Sequence, residues 1–364
     1  MDRNGSDAKD SNVGSIGYKI DILVSFQCFP SITQYSFAQL TMGSLKFLMV
    51  AAATIISFVH AASFSNPLKE ENGSDPFIVY TGGYYYLMTT TWTDVQITRA
   101  TTLGGLKTGE TKVVWSDSTA SRCCNVWAPE AHYLDGKWYI YYTAGQSEDT
   151  TQQKMHVLEG GATPWDSYSY ASQLIDEWSI DGTVLRFDSG NYMVYSCQRT
   201  GLQSLCIAPL TSPTTIGAAS TLSQPTLSWE TQGEISVNEG PAAMYHGGKT
   251  YLAFSASYCW SPSYQLGLLT WDGSGDPTDS NSWTKTGPVF SSANGNYGTG
   301  HNGFFLSPDG TEIWNVYHAT SDSQGNCAGN RYTAAEPVTW NADGSPDFGT
   351  AEALGTTMEG PSGE

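Results

Sequence analysis

Five times along the chain, a short apolar stretch led by a polar residue runs into a turn carrying glycine and then into an alternating, aromatic-rich stretch. Asp75-Pro76 leads toward Gly82-Gly83-Tyr84-Tyr85-Tyr86-Leu87, and Glu130-Ala131 toward Asp135-Gly136-Lys137-Trp138-Tyr139-Ile140-Tyr141-Tyr142. Asp181-Gly182 precedes Ser189-Gly190-Asn191-Tyr192-Met193-Val194-Tyr195. Glu239-Gly240-Pro241 precedes Gly247-Gly248-Lys249-Thr250-Tyr251-Leu252-Ala253-Phe254, and His301-Asn302-Gly303 precedes Asp309-Gly310-Thr311-Glu312-Ile313-Trp314-Asn315-Val316-Tyr317. Apolar strand, glycine turn and alternating strand make a hairpin signal. No long stretch has helical periodicity. The lead residues at 75, 130, 181, 239 and 301 are 55, 51, 58 and 62 apart, which leaves room in each repeat for two further strands. Four-stranded units repeated about an axis form an all-β, five-bladed β-propeller. Each lead residue is then expected to start the innermost strand of its blade, so that four acidic residues and one histidine meet at one mouth of the axis. A carboxylate ahead of a hairpin is also a common turn cap. Five such residues in register favour convergence.

Outside the repeat the chain reads differently. Residues 1–41 show neither repeat nor core pattern and read as a doubtful upstream extension, with Met42 as the natural start. Gly43-Ser44-Leu45-Lys46, an apolar run from Phe47 to Val59 and the small residues around Ala61 make 42–61 a secretory signal peptide, too short to span a membrane comfortably. Residues 62–364 are expected to form a single propeller domain, extracellular, monomeric and free of the membrane once the signal is removed. Cysteine usage agrees with export: beyond Cys28 six remain, an even number. Cys197 and Cys206 fall on neighbouring strands of one hairpin, and Cys259 with Cys327 would tie blades four and five. That leaves the adjacent Cys123 and Cys124 for each other, the alternative being that each pairs with a distant cysteine. A zinc site would need a CxxC pair or a histidine cluster, and the sequence has neither beside these cysteines.

Charge and aromatic content narrow the partners. With 16 Lys+Arg against 35 Asp+Glu, the formal charge of −19 repels nucleic acid and acidic polysaccharide and favours a neutral ligand. The 12 Trp, 21 Tyr and 13 Phe mostly serve blade packing, but Phe77, Trp92 and Trp127 stand close enough to the lead residues to line a sugar pocket. Phosphate-binding loops, GxSxG and HExxH are all absent from the sequence.

Converging carboxylates among aromatics suit glycoside hydrolysis, which uses one protonated acid and one ionised base or nucleophile. The motifs Ser74-Asp75-Pro76-Phe77, Trp127-Ala128-Pro129-Glu130-Ala131, Trp178-Ser179-Ile180-Asp181-Gly182-Thr183 and Asn238-Glu239-Gly240-Pro241 together resemble family 43 glycoside hydrolases, which are five-bladed propellers. The resemblance runs from about Asn66 to about Gly349. It implies Asp75 as general base, Glu239 as general acid and Asp181 as the carboxylate that orients the acid and raises its pKa. It also implies inversion of configuration, with acid and base roughly 6.5–9.5 Å apart. Glu130 has no catalytic role in that pattern and is expected to bind substrate or brace its blade. Arg331 falls where relatives place a substrate arginine. His301 matches an axial histidine that, in many relatives, adjoins a hydrated calcium ion; no cofactor is required. Within the family, the Asn66-Pro67 opening, the Gly82 to Tyr86 hairpin and Cys124 to Glu130 look most like exo-acting α-L-arabinofuranosidases that trim 1,5-linked arabinan. β-Xylosidase and endo-arabinanase are the close alternatives. The vicinal cysteines are then expected at the mouth, as a floor under a furanose ring. A non-catalytic sugar-binding propeller would have no need of all three carboxylates. An invertase-like propeller would need Asn-Asp-Pro and Arg-Asp-Pro, whereas the chain has Ser74-Asp75-Pro76 and lacks the second triplet.

Overall fold

Glycine-bearing turns close five antiparallel hairpins, and each hairpin grows outward into its own sheet. The computed structural model describes residues 62–364; residues 1–41, expected to be an upstream extension, and 42–61, expected to be a secretory signal peptide, lie outside the described residues. Blade one comprises Phe77–Thr81, Tyr84–Met88, Val95–Ala100 and Glu110–Trp115, and blade two Cys124–Leu134, Lys137–Gly145, Lys154–Glu159 and Ser169–Gln173. In blade three, Ser179–Phe187, Gly190–Arg199 and Leu202–Ser212 are followed by two short strands, Thr215–Ile216 and Ser220–Ser223, which both pair with Leu202–Ser212. Blade four is Asn238–His246, Lys249–Ala256, Gln265–Trp271 and Trp283–Phe290, and blade five Tyr297–Leu306, Ile313–Thr320, Tyr332–Trp340 and Pro346–Asp347. Each blade runs in chain order from the axis outward, which is the architecture of a five-bladed β-propeller.

The second strand of each blade is buried on both faces, because a neighbouring blade packs on either side. In Lys137–Gly145, Trp138, Ile140, Tyr142 and Ala144 pack with Tyr86, Met88 and Ile97 of blade one. The intervening Tyr139 and Tyr141 pack with Val184, Met193 and Tyr195 of blade three. The two-residue period of a strand thus becomes a division of side chains between two inter-blade cores. Three further clusters fill the remaining interfaces: blades three and four around Leu205 and Phe254, four and five around Tyr251 and Tyr317, and five and one around Trp314 and Tyr85. The ring is closed beside blades five and one, where Ser63–Ser65 pairs with Thr357–Glu359. Next to this pair, the Asn66 side chain exchanges two hydrogen bonds with the backbone of Ala335. Lys69 and Gly73 bond to the backbone of Thr333 and Arg331.

All three disulfides link the expected partners: Cys197–Cys206, Cys259–Cys327 and the vicinal Cys123–Cys124. Cys259–Cys327 joins the loop after the second strand of blade four to the loop before the third strand of blade five.

A repeated backbone irregularity sets up the site. Near one end of each innermost strand a residue turns to positive φ: Asp75 (55°), Ala128 (45°), Asp181 (58°), Gly240 (52°) and His301 (42°). In blades two to five the ladder breaks register around this residue, the signature of a bulge. Its N–H is turned out of the ladder and needs another acceptor. Side chains provide one each time. Ala128 N–H donates to Thr90 Oγ1 (2.8 Å), His301 N–H to Ser255 Oγ (2.7 Å) and Asp75 N–H to His318 Nδ1 (3.1 Å). Asp181 N–H reaches Thr143 Oγ1 (3.4 Å) and Gly240 N–H reaches Asp181 Oδ2 (3.1 Å). Thr90, Thr143, Ser255 and His318 all belong to the preceding blade, so neighbouring blades are stitched together around the axis.

Candidate active site

These irregularities aim four of the five lead side chains, Asp75, Asp181, Glu239 and His301, into one cavity. Of about 490 Å³, it is lined by Asp75, Asp181, Glu239, His301 and Arg331 in its depth, with Trp92, Trp127, Trp178, Tyr258 and Trp260 among its walls. Asp75 is 8 % exposed, Asp181 6 % and Arg331 5 %, so these polar groups are largely withdrawn from solvent. Asp75 Oδ2 accepts from Thr90 Oγ1 at 2.6 Å, and its Oδ1 is 3.2 Å from Arg331 Nη1 and 3.2 Å from His301 Nδ1. Glu239 is held from both sides: Tyr264 O–H donates to Oε1 (2.9 Å) and Gln203 Nε2 to Oε2 (2.6 Å). Trp92 and Trp127 meet edge to face, centroids 6.2 Å apart, and are locked by a two-way backbone bridge between Trp92 and Val126.

Three carboxyls buried in one pocket do not share one proton affinity. Burial would raise Asp75, but the Arg331 guanidinium at its Oδ1 outweighs it and holds the carboxyl well below its usual range. Asp181 moves well above the usual range, through burial first and then repulsion from Glu239 and Asp75, with the Gly240 N–H opposing. Glu239 rises to about 7, mainly by burial, while the bonds from Tyr264 and Gln203 restrain it. Burial also keeps His301 and His318 neutral, His318 falling to about 3. Neutral His318 uses its Nδ1 lone pair to accept the Asp75 N–H, so its 3.2 Å approach to Asp75 Oδ1 is a contact and not an ion pair. The arrangement thus supplies an ionised carboxylate beside two carboxyls that retain protons toward neutral pH.

Of the nine residues singled out from sequence, seven line this cavity: Asp75, Trp92, Trp127, Asp181, Glu239, His301 and Arg331. Phe77 and Glu130 do not. They line a second cavity of about 410 Å³, which is bordered by the innermost strands of all five blades and includes His132, Arg186 and Tyr245. The reason is register. Ala128, not Glu130, is the positive-φ residue of blade two, so Glu130 lies two residues further along the strand. There Glu130 bonds His132 Nε2 at 2.8 Å, and Phe77 packs on the His132 ring. Bracing, the other role expected of Glu130, agrees with this position; substrate contact in the carboxylate cavity does not. The vicinal disulfide is likewise not part of the cavity lining, and Cys259–Cys327 lies there in its place. Sequence reasoning missed Gln203, Tyr264, His318 and Thr90 as partners of the carboxylates. His318 directly follows the fifth aromatic stretch, a signal that was legible; Gln203 and Tyr264 carry none.

His301, beside which the resemblance implies a hydrated calcium, stands among carboxylates. Its Nδ1 already faces Asp75 Oδ1 at 3.2 Å and Asp181 Oδ2 at 3.9 Å. Among the described residues, no three His, Cys, Asp or Glu side chains group so as to hold a metal. Calcium takes six to eight oxygen ligands, so a hydrated ion beside His301 would draw most of them from water.

A five-bladed propeller with acid, base and aromatic walls in one axial cavity has the attributes of a glycoside hydrolase. Comparison with known proteins agrees: residues 64–346 match the glycosyl hydrolases family 43, and the chain belongs to that family. It is 38 % identical over 340 residues to the extracellular exo-α-(1→5)-L-arabinofuranosidase of Streptomyces avermitilis, covering 88 % of this chain and 69 % of that protein. It is 35 % identical to α-L-arabinofuranosidase 43 of Humicola insolens, over 86 % of this chain and 70 % of that one. Among solved structures, an α-L-arabinofuranosidase from Lactobacillus brevis superposes with a TM-score of 0.75 at 30 % identity, over 80 % of this chain and 98 % of that chain.

Proposed function

We propose that this glycoside hydrolase is a secreted, inverting, exo-acting α-L-arabinofuranosidase that removes terminal L-arabinofuranose from α-1,5-linked arabinan or arabino-oligosaccharides. The observation that carries the chemistry is the opposed tuning of Asp75 and Glu239 within one cavity. Asp75, ionised, takes a proton from a water whose oxygen bonds to the anomeric carbon. The glycosidic C–O bond breaks as Glu239 gives its proton to the leaving oxygen. Asp181 bonds the Gly240 N–H, the peptide that follows Glu239, and so orients the acid. Arg331 keeps Asp75 ionised, and Trp92 and Trp127 offer faces for the furanose. Solvent exchange then returns the proton from Asp75 and reprotonates Glu239. The relatives of S. avermitilis and H. insolens support arabinofuranose as the sugar, and the word extracellular in the name of the first supports secretion.

The test is hydrolysis of nitrophenyl α-L-arabinofuranoside and linear α-1,5-arabino-oligosaccharides beside nitrophenyl β-xyloside, with the product anomer followed by NMR. Arabinose released first as the inverted anomer, with the xyloside at least ~10-fold poorer, is expected. Equal or better xyloside cleavage, or first release of oligosaccharides longer than one sugar, would overturn the reading.

A further inference from the structure

Asn238 precedes Glu239, and its side chain enters the protein interior, where it is fully buried. It meets Glu230, a carboxylate with no exposed surface that lines none of the cavities described above. Glu230 Oε2 accepts the backbone N–H groups of Thr226 (2.9 Å) and Leu227 (2.8 Å). Its Oε1 accepts Lys285 Nζ (2.8 Å) and Asn238 Nδ2 (3.1 Å). The other half of the Asn238 amide is also engaged, Oδ1 accepting from Ser223 Oγ at 2.8 Å. The Asn238 carbonyl accepts from Ser196 Oγ (3.0 Å), whose oxygen accepts from Gln203 Nε2 (3.2 Å), and the same Gln203 nitrogen holds Glu239 Oε2. Two routes of hydrogen bonds therefore converge on Asn238–Glu239, one from the buried ion pair and one from the wall of the cavity.

An ion pair whose carboxylate is fully buried, its lysine 19 % exposed, is a poor way to gain stability, since desolvation offsets much of its attraction; its attested use is to impose one geometry. Glu230 imposes it on the crossing from blade three to blade four, which must end with the side chain of Asn238 inward and that of Glu239 in the cavity. We propose that Glu230, acting through Asn238, is a positioning residue that holds Glu239 where it delivers its proton to the leaving oxygen. The proposal rests on Glu239 being the general acid. Glu230→Gln keeps the shape but puts an amide N–H₂ where one carboxylate oxygen accepted, breaking either the backbone pair or the Lys285–Asn238 pair. A displaced acid matters when the departing oxygen needs a proton and little when it does not.

The experiment measures kcat and KM on phenyl and dinitrophenyl α-L-arabinofuranosides for the wild type, Glu230→Gln, Ser223→Ala, Ser223→Thr and Glu239→Gln. Glu230→Gln is expected to lose ~10-fold or more in kcat on the phenyl substrate and ~3-fold or less on the dinitrophenyl one, with KM unchanged within ~2-fold. Ser223→Ala, which frees only the Asn238 carbonyl oxygen of the side chain, should show the same asymmetry in smaller measure, and Ser223→Thr should restore it. If Glu230→Gln does not fold, the Ser223 pair decides. Equal losses on both substrates, or wild-type kinetics, in the variants that fold would overturn the proposal. Should Glu239→Gln itself show no leaving-group dependence, the acid assignment fails; should it show one that Glu230→Gln and Ser223→Ala lack, only the positioning role fails.

Discussion

Asp75 and Glu239 differ by one methylene, yet the cavity drives their proton affinities in opposite directions. What separates them is the company of each: the Arg331 guanidinium stands 3.2 Å from Asp75, whereas Glu239 has only a neutral phenol and a neutral amide against the cost of burial. Asp75→Asn and Glu239→Gln should each lower turnover by ~10²–10⁴-fold with unchanged circular dichroism; near-normal rates would remove the residue from the mechanism. Activity requires Asp75 ionised and Glu239 protonated, so kcat/KM should be level through the weakly acidic range and fall above about 7 as Glu239 loses its proton. Tyr264 donates to the Glu239 carboxylate and so favours its charged form. Tyr264→Phe removes that bond and should move the alkaline limb upward; a limb that stays or moves down would show that Tyr264 does not tune the acid.

At the scale of the strand, the device that aims the carboxyls is the positive-φ residue at each bulge. Gly240 is the case where only glycine serves, because a Cβ there would stand 2.9 Å from Cγ of the His301 ring as well as strain the backbone at φ 52°. Gly240→Ala is expected to cost ~1–3 kcal/mol in urea unfolding and to disturb Glu239 beside it. Ser255→Ala would leave the buried His301 N–H without an acceptor, a loss of ~1–3 kcal/mol by the same measurement. A change under ~0.5 kcal/mol in either would mean that the bulge tolerates disruption. These bulges also explain what sequence reading found and what it did not. The five hairpins were legible because glycine turns and aromatic alternation are local signals. Asp75, Asp181 and His301 were legible because polar side chains happen to occupy the positive-φ position itself. In blade two that position holds Ala128, so following the nearest carboxylate led to Glu130, two residues away on the far side of the bulge. Gln203 and Tyr264 stand on or beside strands whose facing is decided by the packing of adjacent blades, which no local pattern encodes.

Across the whole molecule, the carboxyls that burial keeps protonated make stability depend on pH. Glu130, raised to about 8 chiefly by burial, and Glu239, raised to about 7, hold protons that the unfolded chain has released above about 4.5. Asp181, Glu336 and Glu364 are raised in the same sense. A group with a raised folded pKa contributes stability that is complete below its unfolded value and is lost as pH climbs through the folded one. Glu130 and Glu239 therefore lose their contribution by pH 8, up to about 1.4 kcal/mol per unit each, and the formal charge of −19 adds repulsion of the same sign. Buried His132, His156 and His318 act oppositely. Their pKa values are depressed by burial, to about 4 for His156 and about 3 for His318, so their stability is present above about 6.5 and is lost as pH falls below it. The two sets meet near neutrality on its acid side. Tm should therefore peak near pH 6 and drop by ~5–10 °C at pH 8.5. Scanning calorimetry of the wild type and Glu130→Gln separates the contributors: an amide mimics the protonated acid and still bonds His132, so the variant should lose less between pH 6 and 8.5 and melt above the wild type at the upper end. A variant with the wild-type slope would show that Glu130 is ionised within its blade and that the alkaline loss has another source.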